Sequence, residues 1–182
     1  MKNMNEVCRD DYRRMTGKTF SFGIESIIFY FAQPQIRYMY WWRKYSRNRS
    51  LLLRYVLLRY AHKYGLEISG SAQIGKGLYL GHPYNITVGE GVTIGNNVNL
   101  HKGCTIGREN RGERKGVPSI GSNVYVGINA TIVGNIRIGD DVMIAPNCFV
   151  NFDVPDHSVV IGNPGRIHQK NDATQGYIGN IV

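Results

Sequence analysis

From Ile68 onward, apolar residues recur at every sixth position: Ile68, Ile74 and Leu80, then Val88, Ile94, Leu100 and Ile106, then Ile120, Val126, Ile132, Ile138, Ile144 and Val150. Glycine follows many of them, at 75, 81, 89, 95, 107, 121, 127 and 139. A second small or aliphatic column falls four positions on, as Leu78, Val92, Val98, Cys104, Val124, Ala130, Ile136, Val142 and Cys148. A period of six fits neither a helical turn nor the two-residue alternation of a long strand. It suits short strands joined by tight bends, three to a coil, with glycine easing the bends and aliphatic side chains filling the axis. Coils stacked at the inter-strand spacing would make a prism roughly 20 to 25 Å tall. The predicted fold is therefore all-β, a parallel β-helix of hexapeptide repeats.

The ladder breaks twice. In "YLGHPYNITVG", Tyr79 to Gly89, two extra residues separate Leu80 from Val88. Ile86 also lies six after Leu80, but a repeat begun there would turn Glu90 inward. The second break, "GRENRGERKGVPS", holds four basic and two acidic residues and predicts a protruding loop over residues 107–119. Segments that leave a rigid scaffold are where function concentrates, so both breaks are candidate sites.

The pattern before Ile68 is helical. Pro34 can open one helix at "PQIRYMYWWRKYS", and Ser50 can cap a second, "LLLRYVLLRYAHKY", which Gly65 would end. Leu51, Tyr55 and Leu58 share a face of the second helix, flanked by Arg54 and Arg59. The predicted organisation is a basic, aromatic-rich helical region over residues 1–65, a β-helix domain over 66–162 and a tail over 163–182.

Charge sharpens this division. The net charge of +9 arises entirely in residues 1–65, which hold 13 Lys and Arg against 4 acidic residues, whereas the remainder holds 9 against 9. Basic residues interleaved with aromatics suit the surface of an anionic membrane better than nucleic acid. The start of the chain is charged throughout and lacks the apolar core of a signal peptide, and the apolar run Ile24 to Ala32 is far short of the roughly 20 residues of a membrane span. Three cysteines, Cys8, Cys104 and Cys148, do not suggest a disulfide framework. The expected location is cytoplasmic, with the basic residues forming a solvated surface on helices that cap the prism; contact with the inner face of the membrane is the alternative.

A prism of this kind has no internal pocket, so chemistry must sit on its outer surface or between subunits. The two extra residues push His82 outward at a corner, where an imidazole can take a proton from a hydroxyl near neutral pH. Leu100 lies one coil beyond Leu80, which puts His101 near the same corner. Glu67 lies 18 residues before Asn85, inside the insertion, so its carboxylate one coil below could orient the imidazole. Cys104 and Cys148 fall in the inward column and read as core rather than nucleophiles. His62, His157 and His168 lie outside the insertion and form no close pair with zinc spacing, so no metal is expected.

The runs "LEISGSAQIGKGLYLGHPYNITVGEG", "CTIG", "SIGSNVYVGINATIVGNIRIGDDVMIAPN" and "IGNPGRI" resemble the hexapeptide-repeat acyltransferases, and within them the serine acetyltransferase branch. The resemblance implies a left-handed coil, a homotrimer, and acetyl transfer from acetyl-CoA bound along the groove between neighbouring subunits. It implies that His82 is the general base and that Glu67 pairs with it. It also implies that Gly107 approaches the thioester arm and that Gly127, Ile128, Ala130, Ala145 and Pro146 contact pantetheine and adenine. Arg166 or Lys170 would meet CoA phosphate.

Two departures bear on the acceptor. Serine acetyltransferases carry a Gly-Asp-Arg-His-Pro run whose Arg and His help hold the amino acid; here Arg114 to Pro118 reads "RKGVP", with Val117 where the second histidine should be. Gly81 replaces the acidic residue that normally precedes the base. Without those anchors the pattern looks more like the acetyltransferases of capsular and exopolysaccharide assembly. The leading expectation is thus an acetyl-CoA-dependent O-acetyltransferase acting on a sugar hydroxyl of a polysaccharide or its precursor. Serine O-acetyltransferase of cysteine biosynthesis is the alternative. More remote are a metal-dependent hydratase and a non-catalytic trimeric scaffold.

Overall fold

The structure, a computed structural model, describes residues 4–182. Four helices come first: α1 (Met4–Thr16), α2 (Ile24–Ala32), α3 (Pro34–Arg47) and α4 (Leu51–Tyr64). Pro34 opens α3, where its missing N–H costs nothing. Gly65 ends α4 in the left-handed region at φ 64°, donating its N–H to the Ala61 carbonyl. Ser50 stands at the N-cap of α4, but its hydroxyl makes no capping bond, so the expected cap is positional only.

Fifteen short strands follow: β1 (Glu67–Ile68), β2 (Gln73–Ile74), β3 (Tyr79–Gly81), β4 (Thr87–Val88), β5 (Thr93–Ile94), β6 (Asn99–His101), β7 (Thr105–Gly107), β8 (Ser119–Ile120), β9 (Val124–Val126), β10 (Thr131–Val133), β11 (Arg137–Ile138), β12 (Val142–Ile144), β13 (Phe149–Val150), β14 (Ser158–Ile161) and β15 (Arg166–Gln169). They stack into three sheets ordered β1-β4-β7-β10-β13, β2-β5-β8-β11 and β3-β6-β9-β12-β14-β15. Every pairing is parallel except β14 with β15. This is a parallel β-helix of about five turns.

Both six-residue columns line its axis. All of the members named above are buried except Ile74, which packs on the core from a partly exposed position. Each fully buried aliphatic side chain contributes about 1.5–3 kcal/mol, so the axis supplies most of the stability. Ile86 is also fully buried, in the second inward column. The extra residues therefore fall between Leu80 and Ile86, and Glu67 pairs in register with Thr87 rather than standing over Asn85. Asn85 instead lies over Gly65, where a Cβ would meet its side-chain oxygen at 2.2 Å.

The helices close the lower end of the prism, where the first coil would otherwise expose unpaired strand edges. Trp42 Nε1 donates to the Ile68 carbonyl at 3.1 Å, and the Tyr38 hydroxyl accepts from the Ile68 N–H at 2.9 Å. Arg43 reaches the carbonyls of Ile74 and Gly75, both at 2.6 Å, and Asp11 accepts from the Leu78 N–H at 3.1 Å. Away from the prism, Ile24, Ile27, Ile28 and Phe31 form an exposed i, i+3, i+4, i+7 stripe on α2. Among the described residues, no helix is long and apolar enough to cross a membrane.

Candidate active site

One corner of the prism, where the β3-β6-β9-β12-β14 sheet bends into the β1-β4-β7-β10-β13 sheet, gathers most of the candidate residues. From the bottom it carries His82 to Asn85, then Lys102 and Gly103, then Gly127 to Asn129, then Ala145 to Asn147. Backbone bonds run straight up it. The Lys102 N–H donates to Gly81 O (3.0 Å), Gly103 N–H to Tyr84 O (2.9 Å), Asn129 N–H to Lys102 O (3.0 Å) and Asn147 N–H to Ile128 O (2.8 Å). Left-handed residues make the bends, among them Asn85, Gly103, Asn129 and Asn147 at φ 54°, 74°, 57° and 59°. Glycine adopts that region freely, and asparagine, aspartate and histidine are the other residues enriched there.

His82 is such a residue, at φ 49°. Its neighbours Gly81 and Pro83 are buried while its own side chain is exposed, so the bend turns the imidazole outward from an anchored backbone. A strained conformation held by surrounding structure is a common mark of a functional position. His101 stands directly over Gly81 in strand register. Its ring packs at 4.6 Å from Tyr125 and 6.1 Å from Tyr79, measured between ring centroids, and Tyr177 of the tail extends this tilted cluster at 5.0 Å from Tyr125. Burial, reinforced by nearby His82, holds the His101 imidazolium below its ordinary pKa. Nε2 of His101 is buried without a hydrogen-bond partner within the described chain.

Glu67 is placed differently from its expected role. It lies on the outward side of β1 and lines a groove of about 440 Å³ with Arg54, Leu58 and His62 of α4. Among the described residues, no ion pair or hydrogen bond joins it to His82. Of the residues expected to meet CoA, Gly127, Ile128, Ala145 and Pro146 stack on one another along the His82 corner. A Cβ on Gly127 would stand 2.7 Å from the Pro146 nitrogen, so only glycine permits that approach. Ala130 points into the core and is fully buried, offering a ligand no side-chain surface. Gly107 ends β7 at the root of the loop, while Arg166 and Lys170 are exposed on and just past β15. Cys104 and Cys148 are core residues, and burial pushes the Cys104 thiol up to about 12, which rules it out as a nucleophile.

The aromatic surround of His101 escaped the repeat pattern. The register that aligns Leu80, Leu100 and Val126 also aligns Tyr79, Asn99 and Tyr125 in one outward column, and that signal was present in the spacing. Tyr177 lies outside the repeats and carried no such signal.

Residues 118–151 match the family described as bacterial transferase hexapeptide, six repeats. The matched residues lie within the β-helix, in its upper coils. The chain is 32% identical over 149 residues to serine acetyltransferase 4 of Arabidopsis thaliana, covering 76% of this chain and 42% of that protein. It is 38% identical over 112 residues to a serine acetyltransferase of Staphylococcus aureus, covering 62% and 53%. Soybean serine acetyltransferase, solved in complex with serine, superimposes with a TM-score of 0.78 at 27% identity, over 91% of this chain and 69% of that one. The chain thus spans about half the length of the curated relatives it matches.

These relatives overturn the expectation of a sugar acceptor, since all of them are serine acetyltransferases. The two departures behind that expectation have packing explanations. A side chain at Gly81 would collide with His101, its Cβ lying 2.5 Å from both Cε1 and Nδ1. Val117 packs against the core at the base of the loop. Gly81 makes room for the His101 ring and Val117 packs on the core, so packing within this chain accounts for both residues.

Proposed function

We propose that this protein is an acetyl-CoA-dependent O-acetyltransferase with serine as its acceptor. The observation that carries this is His82, turned out of a left-handed bend at the foot of the corner formed by Gly127, Ile128, Ala145 and Pro146. Likeness to serine acetyltransferases across most of the chain supports the choice of acceptor. His82 would take the proton of the serine hydroxyl as its oxygen attacks the thioester carbonyl. Backbone N–H groups of the coil would steady the resulting oxyanion. As the carbon–sulfur bond breaks, His82 would return its proton to the departing CoA thiolate, which leaves O-acetylserine and restores the base. A homotrimer, with acetyl-CoA along the groove between neighbouring subunits, is the assembly proposed with this chemistry. Thiol release from acetyl-CoA should proceed with serine at kcat/KM of about 10⁴ M⁻¹s⁻¹ or above. Purified protein that releases thiol no faster with serine than without it would sink the proposal.

The helical region is proposed to rest on an anionic membrane surface. On α4 the exposed Leu51, Tyr55 and Leu58 lie beside exposed Arg54, Arg59 and Lys63, and α2 adds its uncovered apolar stripe. A second copy would bring like charge against like charge, whereas anionic lipid complements it. Vesicles containing phosphatidylserine should retain the protein at low salt and release it at about 1 M, where the screening length falls to about 3 Å. Absence of retention at low salt would remove the membrane role.

A further inference from the structure

The proton inventory of His101 can be read from its surroundings. Nε2 is buried with no acceptor within the described chain, so a proton there would be an orphaned N–H. A bare lone pair is the less costly orphan. The face of the ring lies over Gly81, with Nδ1 and Cε1 the atoms nearest the position its Cβ would take. Burial and the neighbouring His82 keep the ring neutral at pH 7. A neutral ring with Nε2 bare carries its proton on Nδ1, in a residue that stands in register over Gly81, next in the chain to His82.

We propose that His101 is the specificity-determining residue for an anionic acceptor, donating Nδ1–H to the acceptor carboxylate while His82 takes the hydroxyl proton. The carboxylate role rests on serine being the acceptor. In serine the carboxylate and the hydroxyl sit on adjacent carbons' branches, so one molecule can meet two neighbouring rings. The absence of a Cβ at Gly81 leaves the ring its seat, and Tyr125 packs against the ring at a tilt of 44°. His101 thus gives the corner a neutral donor beside the base. A neutral donor does not compete with His82 for the proton.

The test compares serine with ethanolamine, which is serine without its carboxylate. His101→Phe keeps the ring and removes the donor; it should lower kcat/KM for serine by about 10- to 100-fold, through KM, as expected for a lost hydrogen bond to a charged group. Its KM for acetyl-CoA and its turnover of ethanolamine should stay within about threefold of the unmodified protein, below the size of one such bond. The amide nitrogen of asparagine falls where Nδ1 lies, whereas that of glutamine reaches toward Nε2. His101→Asn should therefore recover most of the serine preference and His101→Gln should not. Equal losses for serine and ethanolamine would overturn the proposal in favour of an oxyanion contact or a structural role. Rescue by glutamine instead of asparagine would overturn the tautomer. Nitrogen-15 NMR of histidine-labelled protein, with His101 assigned through His101→Asn, reads the tautomer without relying on the phenylalanine variant folding. A protonated Nε2 refutes the inference. If the unmodified protein does not turn over serine at all, the acceptor assignment and the carboxylate role fall together, whereas serine turnover without the predicted split counts against His101 alone.

Discussion

His82→Asn is expected to lower kcat for acetyl transfer to serine by about 10²- to 10⁴-fold, the usual contribution of a positioned general base. Asparagine is the informative replacement because the backbone at residue 82 is left-handed, with φ 49°. Alanine there would add conformational strain to the loss of the imidazole, while asparagine tolerates the region. The bend itself should survive. Its bonds from Lys102 to Gly81 and from Gly103 to Tyr84 involve only main chain, and Pro83 and Ile86 remain buried beside it. Circular dichroism and KM for acetyl-CoA should therefore be unchanged, and the loss should fall on kcat and kcat/KM alike, as for an interaction made in the transition state. Activity of the asparagine variant within tenfold of the unmodified protein would remove His82 as the base.

How far this architecture could be read from the sequence depended on periodicity. The columns from Ile68 to Val150 repeat because each residue fills the same kind of place on one axis, so six-residue counting located the core. Counting failed where the coil lengthens. Glu67 was assigned to Asn85 by an 18-residue step, but the coil holding the insertion is longer, and the register runs from Glu67 to Thr87. The corner that gathers His82, His101, Gly127 and Pro146 was partly legible, since equal phase in the repeat means equal place on the prism. Whether Glu67 touches His82 was not, because repeat phase does not set side-chain reach, and Glu67 lines a groove with α4, which lies outside the repeats. The acceptor was misread for a related reason. In the sequence Gly81 and Val117 look like missing anchors, and only the packing shows that His101 claims the space over the first and the core claims the second.

Truncating Asp11 should be the most damaging single change to stability outside the axis. Asp11 of α1 and Arg43 of α3 form a buried pair, with side chains 3% and 8% exposed and Nε to Oδ2 at 2.8 Å. The pair also clasps the helices to the first coil. Arg43 donates to the carbonyls of Ile74 and Gly75, and Asp11 accepts from Leu78 N–H, so the two residues satisfy an edge that has no strand beneath it. Asp11→Ala leaves the Arg43 charge buried without its partner and the Leu78 N–H without its acceptor, a loss of about 3–5 kcal/mol. With a urea m-value of about 2 kcal/mol/M, the unfolding midpoint should fall by roughly 1.5–2.5 M at fixed protein concentration. The double variant Asp11→Leu, Arg43→Leu should lose clearly less, because the desolvation of both charges disappears along with their attraction. If the double variant proves at least as unstable as Asp11→Ala, the cost lies in the lost main-chain bonds of the clasp instead of the stranded charge.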